Sequence, residues 1–132
     1  NSAQDGLRYL EELGHPGIGL HLDSYHMNIE EADIRRSLEL SAKQLIHVHL
    51  ADSDRYYPGH GYMDFKEIFE TLDEISYTGA VAVEALSKPD ARTAGSESVR
   101  FLEKYVHLNR RAENCAAREI CVNGKRLAYD VQ

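Results

Sequence analysis

The sequence predicts a parallel α/β architecture, and three observations carry that prediction. Strand-like and helix-like segments alternate three times, the links between them are short, and the strand segments end on Asp23, His49 and Glu84, all able to bind a metal ion. Strand, polar loop and helix in repetition argue for strands running in one direction, because neighbouring parallel strands need a crossover that a helix usually provides. In such folds the loops leaving the C-terminal strand ends can surround a ligand above a packed interior, so sites are built at that end.

The chain has 132 residues, 42% hydrophobic and 28% charged, enough for one core and not two. Its 15 Lys and Arg against 22 Asp and Glu give a formal net charge of -7, which disfavours nucleic acid as a partner. The longest apolar runs are too short for a membrane span or a signal-peptide core. Cys115 and Cys121 lie far along the chain from the histidine-rich segments and read as free thiols in a reducing cytoplasm.

Taken in order, Asn1-Ser2-Ala3-Gln4-Asp5 reads as a helix cap, Leu7, Leu10 and Leu13 follow at helical spacing, and Gly14-His15-Pro16-Gly17 ends that helix. Ile18 to Asp23 forms the first strand, with His21 and Asp23 on one face and Leu20 and Leu22 on the other. Ser24 to Asn28 reads as a polar loop, and Glu30 to Ala42 as one amphipathic helix carrying Ile34 and Leu38. Leu45 to Leu50 is the second strand: His47 and His49 share one face, Ile46, Val48 and Leu50 the other. A loop containing Pro58-Gly59-His60-Gly61 leads to a helix from about Asp64 to Ile75 with Phe65, Ile68, Phe69 and Leu72 on its apolar side. Ala80 to Ala85 makes the third strand and Glu97 to Tyr105 the third helix. In the tail, Arg110 to Cys115 could extend a helix, and Arg118–Val122, Asn123-Gly124 and Lys125–Tyr129 have the form of a β-hairpin suited to cover a sheet edge.

Asp23, His49 and Glu84 on one rim would make an oxygen-rich site with a single nitrogen. That donor set suits Mn²⁺, Mg²⁺ or Co²⁺ better than a metal that prefers thiolates.

Further residues carry a resemblance: Leu22-Asp23-Ser24-Tyr25-His26-Met27-Asn28-Ile29-Glu30-Glu31, His47-Val48-His49 with Arg55 beyond it, Pro58-Gly59-His60-Gly61, and Val83-Glu84. Over roughly residues 1–105 the chain resembles the last three strands of the sugar isomerase/epimerase family with the xylose-isomerase-like barrel, in the ketose 3-epimerase branch of tagatose and psicose type. The spacings agree: 3 residues from Asp23 to His26, 26 from Asp23 to His49, and 35 from His49 to Glu84. The resemblance implies the C-terminal half of a (β/α)8 TIM barrel over residues 1–107, followed by the hairpin tail over 108–132. It implies a divalent-metal-dependent sugar or sugar-phosphate isomerase/epimerase acting through an enediolate. Asp23, His49 and Glu84 would bind the metal, Glu84 would also be an acid/base group, and His26 and Arg55 would hold substrate oxygens.

In that family a further Glu, both metal ligand and second acid/base group, sits on the preceding strand, which would fall before Asn1. The chain is therefore expected to bind metal weakly alone, and to self-associate or to need a complementing N-terminal half, since open sheet edges template pairing. Two rival readings are a non-catalytic half-barrel and an apurinic endonuclease of the same barrel type. The latter enzymes carry Asp-x-His after the seventh strand, where this chain has Asp54-Arg55-Tyr56.

Overall fold

Ser2 caps helix α1 (Ala3–Leu13) through a reciprocal pair with Asp5, and Gly14 ends it in the left-handed conformation, at φ 57. The structure is a computed structural model that describes residues 2–106, 120–122 and 125–129, and of Val106 and the last two segments only the backbone. Strand β1 (Leu20–Asp23) follows, and Asp23 at once caps helix α2 (Ser24–Glu30). Helix α3 (Ile34–Ser41), strand β2 (Leu45–Leu50), helix α4 (Phe65–Glu74), strand β3 (Ala80–Val83) and helix α5 (Ala91–Val106) complete the alternation.

Three expectations about the helices need correction. The polar loop at 24–28 is helix α2, because Asp23 accepts hydrogen bonds from the backbone N–H of Tyr25 and His26 and so satisfies a helix start. The single helix over 30–42 is two helices: Asp33 caps α3 by accepting from Arg36, and that cap forces extended backbone just before it. Glu31, in the break, accepts from the Ala3 N–H and the Ser37 hydroxyl and so fastens α1 to α3. Helix α5 starts well before Glu97, since Asp90 accepts from both the N–H and the hydroxyl of Thr93.

The sheet order is β1-β2-β3-β5-β4, with β5 (Lys125–Tyr129) parallel to β3, and β4 (Ile120–Val122) antiparallel to β5. The two-stranded tail therefore forms and covers the free edge of β3, while its turn residues Asn123 and Gly124, the segment Arg110–Cys115 and Cys115 itself lie outside the described residues. No described helix is long and apolar enough to cross a membrane.

The core lies between the sheet and its helices, where Leu22, Val48, Leu50 and Val81 meet Leu38, Phe65, Ile68, Leu72 and Leu102. Each such side chain taken from water contributes about 1.5–3 kcal/mol. Ile46, expected in this wall, is 60% exposed. The ladder pairs Leu20 with Leu45 but His21 with His47, so β2 carries one residue more than β1 at this point. Ile46 is the residue passed over, which returns Leu45 to the core side and leaves His47 and His49 on the opposite face.

Candidate metal and substrate site

The ladder sets the positions of the candidate ligands. Asp23 of β1 stands opposite His49 of β2, and His49 stands opposite Ala82 of β3. Glu84 is one pleat beyond Ala82, its N–H donating to the Leu50 carbonyl at 3.1 Å. One ligand atom each from Asp23, His49 and Glu84 lies within 4.8 Å of the others. The structure thus brings together the three residues that the sequence singled out as a metal set.

The details of this cluster fit a divalent cation. Asp23 is 6% exposed, its Oδ1 is used by the α2 cap, and its Oδ2 is buried without a hydrogen-bond partner. A buried carboxylate oxygen left unpaired is costly, and two carboxylates this close repel unless positive charge lies between them. His49 Nδ1 is 3.1 Å from Glu84 Oε2; since an ionised carboxylate only accepts, Nδ1–H donates and the ring's lone pair is on Nε2. Burial pushes the Glu84 carboxyl up, but the hydrogen bond and charge of His49, with the charge of Arg55, outweigh it and hold the group below its ordinary value. Glu84 is thereby kept ionised, as a ligand or proton acceptor requires.

Beside the cluster, Arg55 Nη1 donates to His26 Nε2 at 3.1 Å, and Arg55 Nη2 lies 3.6 Å from Glu84 Oε2. A guanidinium cannot accept, so Nε2 of His26 does, which leaves its proton on Nδ1. The guanidinium also sits over the Tyr25 ring, 5.1 Å from its centre. Arg55 has φ 63, a left-handed conformation costing roughly 1–2 kcal/mol, held by Arg55 N–H to Asp52 and Leu86 N–H to the Arg55 carbonyl. A pocket of about 380 Å³ lies over His49, Arg55, Ala82, Glu84 and Leu86, within the usual range for small-molecule sites.

Two organising residues were not foreseen. Ser24, fully buried, donates its hydroxyl to the Ala51 carbonyl and accepts from the Ala51 N–H, tying the end of β1 to the end of β2. Asp52, 1% exposed, accepts from the backbone N–H of Ser53, Gly59 and Met63 and so shapes the loop bearing Arg55. The two loop glycines gave a signal: Gly61 leaves room where a Cβ would stand 2.4 Å from Asp52 Oδ1, and Gly59 has φ 95. Asp54 instead faces outward and pairs with His60, whose ring stacks on Tyr56.

The profile of the xylose isomerase-like TIM barrel family matches residues 1–105. The chain belongs to that family. Within the xylose isomerase-like barrels, a ketose 3-epimerase of Arthrobacter globiformis is 45% identical over 87 residues, 66% of this chain and 30% of that enzyme. The crystal structure of a 3-keto-D-glucoside 4-epimerase from E. coli superposes with a TM-score of 0.74 at 36% identity, over 79% of this chain and 40% of that one. A D-allulose 3-epimerase from Methylomonas sp. gives 0.73 at 31% identity, over 79% and 43%. The chain spans less than half the length of each of these sugar epimerases.

Proposed function

We propose that the chain supplies the metal and substrate groups of a divalent-metal-dependent isomerase or epimerase acting on a ketose or sugar phosphate. The observation that carries this reading is the convergence of Asp23, His49 and Glu84 within 4.8 Å, with one Asp23 oxygen buried and unpartnered. Asp23, His49 and Glu84 would hold Mn²⁺, Mg²⁺ or Co²⁺, the hard donors favouring these over thiophilic ions. Such a cation, when bound, polarises a ketose carbonyl and its neighbouring hydroxyl and lowers the cost of the enediolate.

Glu84, ionised at neutral pH, takes the proton from the adjacent carbon as one of two acid/base groups, reprotonation following on the other face or the other carbon, and Arg55 and His26 hold the sugar oxygens at fixed positions. The partners proposed with it are the small sugar and either a second copy or a complementing barrel half. The matches to sugar epimerases support this reading, and the net charge of -7 favours it over a DNA substrate. We place the boundary of the family domain after residue 107, in keeping with a family match over residues 1–105; beyond it, β5 and β4 add to the edge of its sheet.

Calorimetry with Mn²⁺ tests the ligand set: binding should weaken at least tenfold in His49→Ala, and unchanged affinity would sink the assignment. In the full-length protein, Glu84→Gln should slow solvent exchange of the substrate's carbon-bound proton by about 10²–10⁴. Retained exchange would move the base elsewhere.

A further inference from the structure

The face that carries the acidic cluster holds two histidines that the proposed chemistry does not use. His21 and His47 are opposite one another across β1 and β2, and His49 is one pleat further along. The three rings touch edge to face: their centres are 4.1 Å apart for His21 and His49, 4.7 Å for His47 and His49, and 5.2 Å for His21 and His47. One ring nitrogen from each lies within 4.8 Å of the others. Three imidazoles facing one another form a nitrogen donor set, quite unlike the oxygen-rich set beside it.

We infer that His21, His47 and His49 form a second cation site, selective for a nitrogen-preferring divalent ion such as Zn²⁺, and that its occupation competes with the Asp23–His49–Glu84 site. Three His ligands with an open fourth position are a common zinc arrangement, and imidazole donors favour the later transition metals over Mn²⁺ and Mg²⁺. Ligand nitrogens on a tetrahedral zinc with Zn–N near 2.0–2.1 Å stand about 3.4 Å apart. The nitrogens, within 4.8 Å of one another, would draw together to reach that value, and χ2 of histidine is a broad torsion about which the rings can turn.

The competition follows from His49. With Nδ1–H donating to Glu84, the His49 lone pair is on Nε2 and available to the histidine set, whereas ligation beside Glu84 needs the lone pair on Nδ1 and the proton on Nε2. A neutral imidazole has a single lone pair, so His49 serves one cation at a time. Only this competitive clause rests on the proposed function; the three-histidine site does not.

The test is calorimetry of the protein with Zn²⁺ alone and with Mn²⁺ alone, for the wild type, the His21→Ala/His47→Ala double variant and Asp23→Asn. The double variant should lose Zn²⁺ affinity at least tenfold and keep its Mn²⁺ affinity within about twofold, while Asp23→Asn should do the reverse. Zn²⁺ affinity unchanged in a folded double variant would overturn the site. Loss of Mn²⁺ binding nowhere, with Zn²⁺ lost in the double variant, would instead sink the hard-metal reading and leave this one standing. Nitrogen NMR of the histidine side chains of the wild type gives a readout independent of any variant's folding: Zn²⁺ should shift His21, His47 and His49 together. A response of His49 without His21 and His47 would refute the inference. Zn²⁺ added first should lower the apparent Mn²⁺ affinity of the wild type, and additive binding of both ions would refute the competition.

Discussion

Replacing Asp52 should unfasten the loop that presents Arg55, and its cost can be worked from the bonds. Oδ1 accepts from the Ser53 and Met63 N–H groups at 2.7 and 3.0 Å, and Oδ2 from Gly59 N–H at 2.8 Å. Hydrogen bonds to a charged acceptor contribute about 1.5–3 kcal/mol each. In Asp52→Ala all three go, but the donors border solvent and water recovers part, so the expected loss is roughly 3–5 kcal/mol. In Asp52→Asn the amide oxygen can keep the two Oδ1 bonds while its NH₂ confronts the Gly59 donor, for a loss of roughly 1.5–3 kcal/mol. Against a total stability of about 5–15 kcal/mol, both are large. Urea unfolding is the assay: with a slope of about 2 kcal/mol/M, the midpoint should fall by about 2 M for Ala and about 1 M for Asn. Hydrogen exchange at Ser53, Gly59 and Met63 should accelerate in the same order. A midpoint for Asp52→Ala within about 0.2 M of wild type, at unchanged slope, would refute the reasoning.

Three more outcomes follow from single contacts. Ser24→Ala strands both backbone groups of buried Ala51 and should cost about 2–4 kcal/mol by the same assay; a loss below about 0.5 would mean that the strand ends are joined by other contacts. Gly59→Ala places a Cβ 2.2 Å from the Phe101 ring at φ 95, for about 2–4 kcal/mol, and a neutral effect on thermal stability would contradict the tight approach. The Asp90 carboxyl lies below its ordinary value of 3.8 because Thr93 donates to it from N–H and hydroxyl. Its stabilisation is therefore complete above the unfolded-state value near 3.9 and is lost as pH falls through the lower folded-state value. Asp90→Ala should accordingly lower Tm at neutral pH and converge with wild type in acid, and a constant gap down to about pH 2 would show that the carboxylate's charge is not what matters.

The strands and the ligands they carry were legible because both are local signals: alternation at period 2, then an acid or histidine at the end. What escaped depends on partners distant in sequence or on capping. Ser24–Glu30 contains Tyr, His, Asn and Ile, weak helix formers, and becomes helical because Asp23, which in sequence reads as a ligand alone, satisfies its first donors. The start of α5, with Thr93 and Gly95, was missed for the same reason until Asp90 is seen as a cap. Asp52 reads as one more surface acid in Asp52-Ser53-Asp54-Arg55, and only the return of Gly59 and Met63 to its carboxylate reveals a buried hub. Ile46 belongs to the apolar wall by the alternation that the sequence displays, and the ladder with β1 passes over it.

That mismatch makes Ile46 a position where length and orientation are separable. Ignoring it, Leu45, His47, Val48, His49 and Leu50 match Leu20, His21, Leu22 and Asp23 in an unbroken alternation as far as β1 extends. Deleting Ile46 would thus shorten the strand by one residue while every remaining side chain kept its face, whereas deleting Val48 would turn His49 away from Asp23. Neighbouring backbone already yields to this residue: a Cβ at Gly19 would stand 2.6 Å from Ile46 Cγ2, and one at Gly79 2.7 Å from its carbonyl. Within β2, then, length variation can be absorbed below the histidines, and a frame error above them would dismantle the site.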